Sequence, residues 1–388
     1  MKKFTRQAVW IAAVLLTAVP ATAETLRIGH LATMSGPIGG LGQDQYDGFM
    51  LGLAQRNSKL AGHNIEVVRG DDQGKPDVGV QVAKDLLERE KVRLVVGITA
   101  SNVINAVFPV ITGAGIPLLG TNGGPSIFAG EKCSPLFAST AFQNDGFHEA
   151  AGAEAQSRGY KNVIIIAPNY QAGKDAVVGF KRFYKGAVAD EIYPAFGQTD
   201  FSAEIARFAA SPSDAFYVFL PGGMGINFMK QLSQAGLVRK VPLLSAMTVE
   251  DMSLPIIKES ALGTTVSAYW TSAANTPQSQ SFVKDFQARY KRTPSVFAAQ
   301  GYDAAMLLEQ ALKANPAAVA DPKALAKALR STKFVSVRGE VTIGNNGFPI
   351  QDYLLWKVVK TSAGVGFEKD HVILSHHQDA YAAHCPLK

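Results

Sequence analysis

The chain has 388 residues, 47% of them hydrophobic and 18% charged, with a formal net charge of +6. It is too long for one ordinary domain and divides most naturally into two, each with its own core. Setting aside the first 23 residues, which hold three basic and no acidic side chains, brings the +6 down to +3; no run of Lys and Arg with interleaved aromatics occurs, so neither nucleic acid nor a membrane surface is expected as a partner.

The N-terminus reads as an export leader. Lys2, Lys3 and Arg6 precede the apolar run from Ala8 to Val19, and Ala21-Thr22-Ala23 is a small-x-small cleavage pattern. Residues 1–23 are therefore expected to be a signal peptide and the mature chain to begin at Glu24. A membrane anchor is the alternative, but about 12 apolar residues fall short of the roughly 20 that span a bilayer. No Cys follows to carry a lipid. Only Cys133 and Cys385 occur, and in an oxidising compartment the pair reads first as one disulfide, with two buried free thiols as the alternative.

Short apolar strands then alternate with amphipathic helices. Strands are expected at 26–32, 64–70, 93–98, 117–120 and 136–140, with helices over 43–57, 78–90 and 102–112. A second set follows, with strands at 163–168, 215–221, 241–246 and 264–270 and helices from Asp175, Ser202, Gly225 and Asp251. Continuous apolar strands spaced by helices imply parallel βαβ units, and so an α/β chain of two similar lobes. Helices after Gln278 and Phe297, and strands in 340–344 and 352–359, read as returns across a hinge.

Gly-rich turns at strand ends are where such folds bind ligands. Ser35 to Gly42 joins a strand to a helix, with Asp71-Asp72 after the second strand, yet the glycines do not fit GxGxxG and an exported protein would lack NAD. Thr99 to Asn102 and Gly120 to Pro125 each follow a buried strand and offer hydroxyls and amides to an anion. Simple N-capping by Ser101 or Asn102 is the alternative. No GxSxG elbow, P-loop, HExxH or Cys–His pair is present, so no enzyme activity, cofactor or metal is expected. The cluster of His376, His377, Asp379 and His384 reads as a solvated tail.

These segments, in order, carry a resemblance. MSGPI (Met34 to Ile38), Asp71-Asp72 with Pro76, Gly97 with Ser101, the turn ending at Pro125, and DFSAEIARF in the second half resemble the periplasmic leucine/isoleucine/valine-binding proteins, the type I solute-binding components of ABC transporters. The resemblance implies two lobes joined by three hinge strands, a ligand in the cleft, and a monomer in the periplasm that closes and is presented to permease subunits. On that pattern the first lobe takes 24–142 with 271–346 and the second 143–270 with 347–388.

The resemblance also implies site residues. From the first lobe these are Leu41, Gln43, Ala100, Ser101, Thr121, Asn122 and Gly123; from the second, Tyr170, Ala172, Gly222 and Met247. Ser101 keeps the carboxylate-binding hydroxyl, whereas Met247 stands where the family has the acid that neutralises a ligand ammonium. Leu41, Ala172 and Gly222 replace larger aromatics. A carboxylate grip, no ammonium partner and more apolar room point to an aromatic acid of the benzoate or phenylpropenoate type, with Tyr170 and Met247 on the ring. Branched-chain amino acid binding, with Glu250 or Asp303 as ammonium partner, and ligand sensing for a membrane receptor are the alternatives.

Overall fold

The computed structural model describes residues 25–362 and 364–387; the expected leader and its cleavage point lie outside the described residues. Strands β1 (Thr25–Ala32), β2 (Lys59–Leu60), β3 (His63–Asp71), β4 (Leu94–Gly97), β5 (Leu118–Gly120) and β6 (Phe137–Ser139) form one sheet. Its order is β2-β3-β1-β4-β5-β6, parallel except for the short β2–β3 pair. The apolar runs of β4 and β5 are buried throughout, as strands covered on both faces require. Helices α1 (Gly39–Ala54), α2 (Pro76–Glu88) and α3 (Ser101–Gly113) provide the cover.

After α4 (Asp145–Ser157) a second α/β set begins. It runs β7 (Asn162–Ile166), α5 (Gln171–Phe183), β8 (Ala187–Ile192), α6 (Ser202–Ala210), β9 (Ala215–Val218), α7 (Gly223–Gln234), β10 (Leu243–Ser245), α8 (Leu254–Ile257) and β11 (Thr265–Ala268). Its strands are parallel in the order β11-β10-β9-β7-β8.

The chain then returns to the first lobe through α9 (Pro277–Tyr290), α10 (Val296–Ala314) and α11 (Pro322–Ser331). Gly48 of α1 and Gly301 of α10 let these helices touch backbone to backbone: a Cβ at either would lie 1.9 Å from a carbonyl oxygen of the other helix. Strands β12 (Phe334–Ser336) and β13 (Gly339–Ile343) follow, and Phe334 and Val341 share a core with Leu26, Ile28, Leu94 and Leu307. Finally β14 (Pro349–Thr361) lies antiparallel beside β11, and β15 (Gly364–His377) covers β14. The sheets are thus parallel in the main with antiparallel additions. The chain leaves the first sheet after Ser139, and β13 pairs antiparallel with β14, which joins β12 and β13 by hydrogen bonds to the second sheet.

Two expectations need correction. The helix expected from Asp251 is a single turn at 254–257, because the Glu250 carboxylate accepts the Met252 and Ser253 amides and the Ser253 hydroxyl donates to the Thr248 and Glu250 carbonyls, drawing the backbone into turns. Nor is the C-terminal tail solvated throughout. Asp379 is buried and accepts from Asn346 at 2.8 Å, and His377 meets the buried Glu149, while His376 is exposed. No group of three or more acidic, His or Cys side chains able to hold a metal occurs among the described residues. Cys133 and Cys385 are joined in a disulfide with Cα atoms 5.7 Å apart.

Candidate functional site

A small cavity of about 20 Å³ lies between the lobes, near the threshold for holding one water. Ile38, Leu41, Thr99, Ser101 and Asn122 wall it from the first lobe. Phe142 and Asn144 come from the first crossing, and His148, Tyr170, Ala172, Phe219, Pro221 and Met247 from the second lobe. Larger depressions lie elsewhere, one around Tyr302 and Phe334 and one around Phe216 and Pro242, but each draws on a single lobe.

The polar end is built on the start of α3. The amides of Val103 and Ile104 both bond to the Ala100 carbonyl, which leaves those of Ser101 and Asn102 without a protein partner among the described residues. Amides at such a terminus, with the helix dipole behind them, attract an anion. Asn144 fixes the Ser101 hydroxyl. Its Oδ1 accepts the Gly124 amide at 3.1 Å, so its Nδ2 is the group that donates to Ser101 Oγ at 3.1 Å and to Asp175 at 2.8 Å. Ser101 therefore accepts from Asn144, and its own proton, whose nearest acceptor is Asn144 Oδ1 at 3.5 Å, is available to a ligand.

No carboxylate stands in the wall. Asp175, behind Asn144, is occupied by Ser126, Asn144 and Gln171. Glu250 is held by its own turn, and burial pushes its carboxyl up to about 8. Asp303 accepts from Ser336 and the Val337 amide and faces Arg338, with burial holding it near 6. Neither acid lines the cavity. The remaining wall is aliphatic and aromatic, and Tyr170 packs on Phe196 with ring centres 4.6 Å apart. Burial, and secondarily Asp175, raise the Tyr170 phenol, which stays protonated.

Two non-glycine residues beside the cavity hold left-handed backbone, Ile98 with φ 65° and Met247 with φ 56°. Such conformations are rare for these side chains and gather at ligand clamps. Gly222 has φ 62°, and a Cβ there would meet Leu41 at 3.1 Å and the Pro37 carbonyl at 3.3 Å. It seals the lip between the lobes rather than lining the cavity.

Of the residues named from sequence, Leu41, Ser101, Asn122, Tyr170, Ala172 and Met247 meet at the cavity. Gln43 does not, since it joins Asp47 and Arg69 on α1 and β3. Thr121 gives its hydroxyl to Gln45 at 3.0 Å, Gly123 gives its amide to the Ile98 carbonyl at 2.9 Å, and Ala100 serves α3 as N-cap. The expected extra room is also absent. Phe142 and Phe219 stand in the wall, and the cleft is closed. Neither they nor Asn144 and His148 were foreseen, although Asn144 before an Asp-Gly pair is a helix-start signal that could have marked the site.

A family model described as periplasmic binding protein matches residues 25–364. Among curated proteins, the chain is similar to Leu/Ile/Val-binding protein homolog 6 of Brucella melitensis, 26% identical over 95% of this chain and 96% of that one. Among solved structures it is similar to an ABC transporter solute-binding protein of R. palustris in complex with benzoate, with TM-score 0.87, 28% identity and coverage of 92% and 98%. A second R. palustris solute-binding protein, in complex with 4-hydroxybenzoate, matches with TM-score 0.84, 26% identity and coverage of 91% and 98%.

Proposed function

This chain belongs to the periplasmic binding protein family, and from that premise we propose that it is the solute-binding component of an ABC importer carrying a small aromatic acid of the benzoate class. The observation that carries this reading is the composition of the cavity wall: hydroxyls, side-chain amides and helix-start amides gathered around Ser101, a largely aliphatic and aromatic remainder, and no carboxylate. An α-amino acid would bury its ammonium there without a counter-charge, at a cost of several kcal/mol. A benzoate would lose only water.

In this reading Ser101, with the amides opening α3 and the backbone at Asn122, holds the carboxylate. Leu41, Tyr170, Ala172 and Met247 flank the ring, and Gly222 lets the lobes meet. The cavity as closed in this structure is too small to contain such a ligand, so the lobes open to admit it and close around it in a wider arrangement that is presented to permease subunits. The lobes would divide at the crossings, with 24–142 and 271–346 on one side and 143–270 and 347–388 on the other. Export through a cleaved leader to the periplasm, and function as a monomer, belong to the same reading. Sequence relatives named for leucine, isoleucine and valine favour an amino acid instead. That alternative lacks a carboxylate in the wall to neutralise the ammonium.

Calorimetric titration of the mature protein with benzoate, 4-hydroxybenzoate and leucine decides between them. Saturable binding of the aromatic acids and none of leucine is expected. Tight leucine binding without aromatic acid binding would overturn the reading.

A further inference from the structure

One group in the cavity wall has no part in holding the carboxylate. His148 lies on α4 four residues beyond Asn144, hence on the same helix face and about 6 Å further along the helix axis. Its ring stands edge-on to Phe219 with centres 4.7 Å apart, and its Nδ1 pairs with the Tyr217 hydroxyl. Its Nε2 has no protein partner among the described residues, yet it is not one of the sealed, unpaired interior atoms, as both ring nitrogens of His30 are. It keeps accessible surface, and the surface available to it is the cavity.

The proton on this ring can be placed. Burial lowers His148 to about 3, so the imidazole is neutral and carries a single N–H. Tyr217 is fully buried, and His148 Nδ1 is its hydroxyl's one hydrogen-bond partner among the described residues. Unless that hydroxyl donates to Nδ1, its proton is left unpaired in the core at full desolvation cost. The hydroxyl therefore donates, Nδ1 accepts, and the imidazole proton resides on Nε2, aimed into the cavity.

We propose that His148 is a specificity-determining residue whose Nε2–H donates to an oxygen at the end of the aromatic acid remote from its carboxylate, a ring hydroxyl above all, with Tyr217 holding the required tautomer. The proposal rests on the aromatic-acid reading and adds to it: the preferred ligand is a hydroxylated benzoate rather than benzoate itself.

The test compares the affinities of 4-hydroxybenzoate and benzoate by calorimetry. The unmodified protein is expected to prefer the hydroxylated acid by about tenfold or more, as one added hydrogen bond implies. His148→Phe is expected to bring that ratio close to one, His148→Gln, which restores a donor, to keep part of it, and Tyr217→Phe, which frees the tautomer, to reduce it. Should the Phe variant at 148 fail to fold, the Tyr217 variant decides alone. Binding of neither acid overturns the functional reading and this assignment with it. Equal binding of both acids to the unmodified protein, or a preference that persists in His148→Phe or Tyr217→Phe, overturns this assignment alone.

Discussion

Gly223 donates its backbone amide to the Pro37 carbonyl at 3.2 Å, joining the start of α7 in one lobe to the loop before α1 in the other. This bond exists only while the lobes are closed, and its neighbour Gly222 is what allows the approach. Gly222→Ala would carry backbone strain of about 1–3 kcal/mol in either state. It would also press a methyl group against Leu41 and Pro37 in the closed state alone. The melting temperature should fall, and ligand affinity should fall as well. Unchanged affinity would show that closure does not need this contact.

Ser101→Ala should weaken the best ligand by about 1.5–3 kcal/mol, the worth of a hydroxyl bond to a carboxylate. The melting temperature without ligand should change little, since Asn144 keeps its bonds to Asp175 and Gly124. Calorimetry that gave equal affinities for the variant and the unmodified protein would reduce Ser101 to the first residue of a helix.

Met247→Glu puts a carboxylate into a wall that has none. A charge buried beside an apolar ring must repel an anionic ligand or take up a proton, and both routes cost affinity. Aromatic acid binding should drop by more than tenfold, measured by calorimetry at pH 7. Retention of affinity would mean that residue 247 lies away from the ligand.

The stability contributed by the buried Glu250 should decline with rising pH, against an opposite contribution below about pH 6.5 from His30 and His148, which burial lowers to about 3. Burial raises Glu250 to about 8 and Asp251 to about 6, against an unfolded glutamate near 4.3. Between about pH 4 and 8 the folded protein thus holds a proton on Glu250 that the unfolded chain has released. The stability due to this group is complete below pH 4 and is lost as pH rises through 8. Calorimetric melting of the unmodified protein and Glu250→Gln at pH 5, 7 and 9 isolates this group: the unmodified protein should lose stability relative to the variant as pH rises, and an identical pH dependence in the two would refute the assignment.

Reducing the Cys133–Cys385 bond should release the tail before it disturbs the cleft. Beyond the disulfide the tail is held by Tyr381 donating to Asp145 at 2.9 Å and by Asn345 donating to the Ala382 carbonyl at 3.0 Å. Hydrogen exchange should accelerate after Gln378, with ligand affinity altered less than threefold. Loss of binding on reduction would tie the bond to the cleft itself.

The parts of the site that stood out in the sequence are those where polar side chains follow buried strands, Thr99 and Ser101 after β4 and Asn122 after β5. A hydroxyl at the end of an apolar run is visible without coordinates. What a turn does with its own amides is not, and so Gly123, whose amide is spent on Ile98, looked like a ligand donor. Helix α4 is not legible in the sequence for a different reason. Asp145, His148, Glu149 and Glu154 are all buried on it, so the polar residues that usually mark a solvent face break the apolar periodicity instead. With α4 went His148 and the significance of Asn144. Strand β8 reads AVADEI, with polar side chains on a half-exposed sheet edge, and gives too little apolar signal to register.

The packing of α1 against α10, and of β11 against β14, also bears on how the molecule comes to exist. Neither lobe can be completed from one contiguous piece of chain: the first waits for residues 296–343, and the second for 349–377. Contacts this remote require large loops to close before they stabilise anything, an arrangement that slows folding relative to one built from local contacts. A nascent chain stopped short of residue 349 leaves the β11 edge unpaired, a surface open to other strands. The strand that covers this edge is thus among the last parts of the chain to be made.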